Sequence, residues 1–289
     1  PVGTVTRGTT NPNRLRPADR WLVATQAGRL RHSIAPPVVV DLGYGASGIT
    51  AYELFERVRR VRADTEVVGL EIDPARVVAA QHLSRPGLSF AVGGFEVPLP
   101  GGRRATVIRA FNVLRQYAEE QVPQAWSRMQ GRLADEGLLL EGTCDELGRL
   151  AAWVALDRDA PVSLTLSMRL RGLERPSVVA ERLPKVLIHR NVPGEPVHAL
   201  LRDLDRAWDI AAPAGSFGVR QRFVRTVEGL VDLGWPVVGG RSRWRLGEVS
   251  VPWHTVAPSD DPRASHPRAG HPRAGHPWAG HRGEGHQGP

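Results

Sequence analysis

Apolar positions in the first half of this chain fall into two alternating rhythms. Short runs of β-branched and other apolar residues occupy 38–40 (VVV), 66–70 (EVVGL), 88–92 (LSFAV), 106–108 (TVI) and 137–141 (GLLLE). Between them, apolar residues return every three or four positions over 49–61, 74–83 and 119–133, with Val122, Trp126 and Met129 on one stripe of the last. The first rhythm predicts strands and the second amphipathic helices. Strands alternating with helices at this spacing predict βαβ units and a parallel sheet covered on both faces. Right-handed crossovers then lead to an α/β fold of Rossmann-like, doubly wound type.

Beyond residue 145 the pattern loosens. Residues 162–170 (VSLTLSMRL) alternate like a strand, 197–210 and 219–233 carry helical stripes, and 244–253 (WRLGEVSVPW) read as a last strand or pair of strands. These complete a mostly parallel, seven-stranded sheet with a helical insertion near 175–235. Ahead of the first strand, residues 4–16 form a polar lead-in. Pro17-Ala18-Asp19 then starts a helix, with proline in its first turn and an acid near its positive end. Trp21, Leu22 and Ala24 give that helix an apolar face.

At the far end His266, His271, His276, His281 and His286 recur at a five-residue spacing among Pro and Gly. That composition offers little to bury and predicts disorder, and no metal site is assigned to it. The chain therefore divides into a basic lead-in and helix (1–36), a nucleotide-binding domain (37–257) and a His/Pro/Gly-rich tail (258–289).

With 289 residues, 41% of them hydrophobic and 24% charged, the composition is that of a globular chain able to bury a core. No apolar stretch approaches the roughly 20 residues of a membrane helix, so no membrane partner is expected. The first twenty residues are polar and Arg-rich without an apolar h-region, which predicts a cytoplasmic location. The lone cysteine, Cys144, agrees with that. It also rules out a Cys-rich zinc site or a three-cysteine iron–sulfur cluster made by this chain alone, and no metal is predicted.

The net charge of +8 raises nucleic acid as a partner or acceptor through counterion release. Its distribution argues the other way. Residues 1–36 carry six Arg against one Asp, and the part after Val256 carries four Arg against three acids, which leaves about +2 on everything between. Lys185 is the only lysine, so base composition of the gene explains the arginines as well as selection for phosphate does, and a solvated face is the simpler reading.

The chemistry concentrates in VVVDLGYGASG, where Gly43, Gly45 and Gly48 spell G-x-G-x-x-G between a strand and a helix. Glycine permits the sharp turn and leaves no Cβ in the way of a cofactor lying on the backbone. Two cofactors compete for such a loop. A pyrophosphate on the helix N-terminus would be repelled by Asp41 at the end of the first strand. A cofactor that carries an ammonium group, as S-adenosylmethionine (SAM) does, suits an acid there. Glu71, ending the second strand in VVGLEIDP, is positioned to accept both ribose hydroxyls and fits either cofactor.

The pair VVVDLGYGAS and VVGLEIDPARV resembles the first two motifs of the class I SAM-dependent methyltransferases, over roughly residues 36–145. Strings such as RAFNVLRQY, EGTCDE and AERLPKVLIHRNVPGE look like those of an uncharacterised bacterial branch of that family. The resemblance implies that Asp41, Gly43 and Gly45 form the cofactor loop and that Glu71 grips the ribose. It sets Gly94-Phe95 where the family usually has an acid beside the adenine. Without that acid, adenine recognition would rest on backbone and on packing by Ile72 or Phe95.

In open α/β sheets ligands bind outside the carboxyl ends of the strands. That makes Arg109, Asn112 and Arg115 after the fourth strand, and Thr143, Asp145 and Glu146 after the fifth, the expected pocket wall, with Asn112 and Asp145 as the catalytic candidates. Each has a plainer reading as a loop polar residue or a helix cap. Cys144 is expected to be a buried small side chain rather than a nucleophile. His189, Arg190 and Asn191 form a polar turn able to reach over the pocket.

The expected activity is methyl transfer from SAM to a small-molecule or macromolecular acceptor by in-line displacement. Such a step needs alignment above all, and a base only where the acceptor must lose a proton. An NAD(P)-dependent oxidoreductase, supported by the glycine spelling, and a non-catalytic SAM-fold protein that binds RNA or a partner through the basic lead-in are the alternatives.

Overall fold

The computed structural model describes residues 1–5 and 10–261. One sheet organises them, in the order β3-β2-β1-β4-β5-β6-β7-β8. Five strands, β1 (Val38–Leu42), β2 (Glu66–Glu71), β3 (Leu88–Val92), β4 (Ala105–Phe111) and β5 (Leu133–Cys144), run parallel. Then β6 (Leu150–Leu156), β7 (Pro161–Met168) and β8 (Glu248–Pro252) extend the sheet antiparallel. The order turns at β1, whose neighbours β2 and β4 open a crevice at their carboxyl ends.

Helices cover both faces, which is why the strands read as continuous apolar runs. On one face lie α1 (Arg16–Thr25), α2 (Ala27–Arg31), α3 (Ile49–Arg59) and α4 (Pro74–Ala80), which bury Trp21, Leu54, Phe55 and Val77 against Val39, Val107 and Trp153. The other face receives α5 (Val122–Gln130), α6 (Lys185–Ile188), α7 (Pro196–Ile210) and α8 (Val219–Asp232), with Trp126, Leu187, Trp208 and Phe223 in its core. The short α9 (Arg241–Trp244) leads into β8. The helices from α6 to α8 all fall between β7 and β8 in sequence. No helix among the described residues is long and apolar enough to cross a membrane.

The fold is the expected α/β, Rossmann-like one, with eight strands where seven were expected. The extra strand is β6, LAAWVAL. It is sandwiched between the two helical layers, so neither alternation nor a β-branched run marks it, and its alanines lower its strand signal. The tail from residue 262 onward, expected to be disordered, lies outside the described residues.

Candidate functional site

The loop after β1 turns as its glycines predict: Gly43 and Gly45 have φ of 70° and 81°, a region where a side chain is strained. The Gly43 N–H donates to the Leu70 carbonyl at 2.7 Å and ties the loop to the end of β2. Glu71 lies directly beside it and is 1% exposed. Its Oε2 accepts the Gly45 N–H at 2.9 Å, its Oε1 accepts the Ile72 N–H at 2.9 Å, and Arg76 approaches to 3.6 Å. Gly43, Gly45, Glu71 and Ile72 are thus brought together at the switch point of the sheet.

Asp41 does not behave as expected. Its carboxylate is 2% exposed and is turned beneath the loop. There Arg109 holds both oxygens, Nε at 3.1 Å and Nη2 at 2.8 Å, and the Thr50 hydroxyl donates to Oδ2 at 2.8 Å. Arg109 in turn pairs with buried Asp19 of α1, which also takes Arg57 at 2.6 Å. Arg109 is fully buried, so it is no pocket-wall residue. Burial alone would favour loss of its proton, but Asp19 and Asp41 outweigh that and hold the guanidinium charged. An ammonium on a ligand would therefore meet a carboxylate already neutralised by Arg109. The sequence argument failed because Arg109, sixty-eight residues away, is its register partner on β4.

At the end of β3 a carboxylate does stand where Gly94-Phe95 lacked one. Glu96 folds back so that its Oε1 accepts the Gly94 N–H at 3.0 Å and its Oε2 the Val2 N–H at 2.6 Å. Partial burial works against its charge, but the N–H groups of Val2, Glu96 and Gly94 hold its pKa below the usual carboxylate range. The Phe95 N–H donates to the Val2 carbonyl at 2.9 Å. Thr4 continues the strap, its N–H on the Tyr117 hydroxyl at 2.6 Å. A Cβ built on Gly3 would come within 2.9 Å of Ile72 and 3.5 Å of Phe95. Residues 2–4 of the lead-in therefore lie against Ile72 and Phe95, the two residues expected to pack the adenine. Further on, the Thr10 hydroxyl donates to the Tyr44 carbonyl at 2.7 Å.

Beyond β4, Asn112 takes a left-handed backbone (φ 60°), uncommon outside glycine and a mark of local constraint. Its Oδ1 accepts the Cys144 N–H at 3.0 Å and its Nδ2 points to Cys144 Sγ at 3.3 Å, so its amide clamps the ends of β4 and β5 together. Asp145 is half-buried, and its Oδ1 accepts the Arg149 N–H at 2.7 Å, tightening the turn into β6 rather than starting a helix. Thr143 is buried and donates to the Arg182 carbonyl, while Glu146 and Arg115 are exposed. Cys144 is buried. Burial raises its thiol pKa, with Arg14 and Asn112 opposing. In the polar turn, Arg190 is taken up by Glu119, Glu195 and Asp260, and Asn191 by His198, so neither reaches the pocket.

Besides Glu96 and Val2, three further residues escaped sequence reading. Arg14 donates from Nε to Cys144 Sγ at 3.2 Å, and Arg182, from the segment before α6, approaches Glu146 at 3.9 Å. Glu141, three residues before the end of β5, is wholly buried beside Trp126. Desolvation pushes its pKa up to about 8, against a smaller opposing hydrogen bond from Trp126.

No protein-family model matches the chain, and no curated protein does. Solved structures do match over part of it. CalO1, a methyltransferase in calicheamicin biosynthesis in its SAH-bound form, is 20% identical over 44% of this chain and 35% of its own, with a TM-score of 0.32. A TehB-like SAM-dependent methyltransferase from Corynebacterium glutamicum is 24% identical over 44% and 70%, with a TM-score of 0.30. The magnesium protoporphyrin IX methyltransferase ChlM from Synechocystis, with bound SAH, is 16% identical over 47% and 62%, with a TM-score of 0.33. The chain spans about a third of CalO1.

Proposed function

We propose that the chain is a SAM-dependent methyltransferase acting by in-line displacement. The observation that carries this reading is the Gly43–Gly45 turn held on buried Glu71 between β1 and β2. The Gly43–Gly45 turn, buried Glu71 and the Glu96–Phe95 pair all belong to the half of the sheet made by β1, β2 and β3. The dinucleotide-binding fold pairs two βαβαβ halves of three parallel strands each, and here the second half has only β4 and β5 parallel. Here the sheet beyond β5 continues antiparallel through β6, β7 and β8, which supports a cofactor with one nucleoside. That topology replaces Asp41 as the argument against NAD(P).

The residues present fit such a cofactor. Glu71 offers a buried carboxylate to ribose hydroxyls. An adenine edge presents an amino donor beside a ring-nitrogen acceptor, and Glu96 with the Phe95 N–H is the complementary acceptor–donor pair. Ile72 would pack against the ring face; the space a Cβ on Gly43 would take is filled by Val113. Bound SAM would supply the methyl group on its sulfonium.

This chain's own residues align the acceptor at the ends of β4 and β5. There Asn112 shapes the wall through its constrained backbone, and Asp145 is the carboxylate assigned to a proton that must leave. In the present arrangement the backbone of Val2 occupies both adenine-reading groups, its N–H on Glu96 and its carbonyl on Phe95. The strap therefore has to turn aside before adenine is read by that pair.

The test is incubation of the full chain with methyl-labelled SAM and fractionated cell extract. Label entering one fraction, and lost in Glu71→Ala, supports the reading. Absence of transfer to protein, RNA, lipid and small molecules alike contradicts it.

A further inference from the structure

We infer that Arg14, Arg115 and Arg182 form an anion site that receives a carboxylate or phosphate group of a small acceptor beside Asn112. This deepens the methyltransferase reading and rests on it for the acceptor's role, though the site itself stands on separate residues.

The three guanidiniums come from separate elements, one ahead of α1, one after β4 and one before α6, and meet over the end of β5. Arg14 reaches Cys144, which Asn112 also holds, at 3.2 Å and 3.3 Å. Arg115 donates to the Glu181 carbonyl at 3.4 Å, and the Arg182 carbonyl accepts from Thr143. Like charges gathered in this way repel. Burial and then the charge of Arg182 hold Arg115 below its usual range, with Arg14 adding to the effect. Arg182 has Glu146, 68% exposed, at 3.9 Å, and Arg115 has the Glu181 carbonyl. The Arg182 Nε is buried with no hydrogen-bond partner among the described residues, an arrangement that costs free energy until an acceptor arrives. Guanidiniums bind carboxylate and phosphate through paired N–H groups, which suits this geometry.

A cleft of about 560 Å³, the size of a small-molecule pocket, lies next to the trio. Its walls include Glu181, whose carbonyl Arg115 holds, and four further arginines, Arg149, Arg169, Arg171 and Arg175, beside Asp145 and Glu174. Positive charge thus continues into the space where the rest of a small anionic acceptor would lie.

The experiment compares the full wild-type chain with R115Q/R182Q in two arms at matched ionic strength. In the first, thermal unfolding is followed with inorganic pyrophosphate as the probe. Protection of the wild type, reduced about tenfold in apparent affinity in the variant, supports the site; equal protection of both overturns it. In the second, S-adenosylhomocysteine (SAH) and 5′-methylthioadenosine, which lacks the amino-acid part, are titrated. Unchanged affinity of both in the variant supports an acceptor site and shows that the variant is folded. Loss of SAH binding alone means that the arginines hold the cofactor's own carboxylate, which overturns the inference. Absence of SAH binding to the wild type defeats the methyltransferase reading separately, while the pyrophosphate arm still decides the anion site.

Discussion

Arg109 on β4 lies directly across from Asp41 on β1, and its guanidinium carries that carboxylate while reaching on to Asp19 of α1. The pair ties the cofactor loop to the helix that precedes the sheet, and Arg57 of α3 closes the line of charges at Asp19. Buried ions of this kind repay their desolvation only as a complete set.

Removing Arg109 leaves two buried acids with one arginine between them. Arg109→Ala is expected to destabilise the fold by about 3–5 kcal/mol, read as a lower midpoint in urea at pH 7. Asp41→Asn is expected to act in the same way, losing stability before it loses any direct cofactor contact. A variant of Arg109 as stable as the wild type would show that the network contributes nothing.

Glu71 has the opposite profile, since its partners are backbone N–H groups of the loop that holds the ligand. Glu71→Gln is expected to weaken SAH binding about 10–100-fold, the scale of charge-assisted hydrogen bonds. The urea midpoint is expected to move little. Calorimetric titration beside a urea series separates the two effects.

Val2 stands on both groups proposed to read an adenine edge. Deleting residues 1–5 removes that competition and is expected to tighten SAH binding by several-fold, about one net hydrogen bond. Weaker binding after deletion would mean that the strap is a cover needed by the bound state.

Glu141 makes stability depend on pH. Its folded-state pKa is raised by burial to about 8, so its contribution is fully present below the ordinary carboxylate pKa. It is lost as pH rises towards 8, at up to about 1.4 kcal/mol per pH unit. Glu141→Gln is expected to abolish that slope, so the variant gains on the wild type between pH 5 and pH 8. Parallel pH–stability curves would contradict this.

What could be read from the sequence follows from which interactions are local. The strands at 66–71 and 88–92 and the Gly43–Gly45 turn are dictated by residues next to one another. The proposed seat around Glu71 was legible because the carboxyl ends of parallel strands share one edge of the sheet. Asp41 was misread because its partner, Arg109, is brought in by sheet register. Glu96 was overlooked because its carboxylate reaches the Gly94 position only by folding back. Val2 and Arg14 gave no signal at all, since a polar lead-in has no periodicity to reveal where it docks. β6 was hidden by burial on both faces.

The central claim, a single-nucleoside cofactor seated at Glu71, is tested most directly by calorimetric titration of the full chain with SAH and, separately, NADH. Saturable binding of SAH that is lost in Glu71→Ala, with no heat from NADH, is the result expected. Binding of NADH with no response to SAH would contradict it.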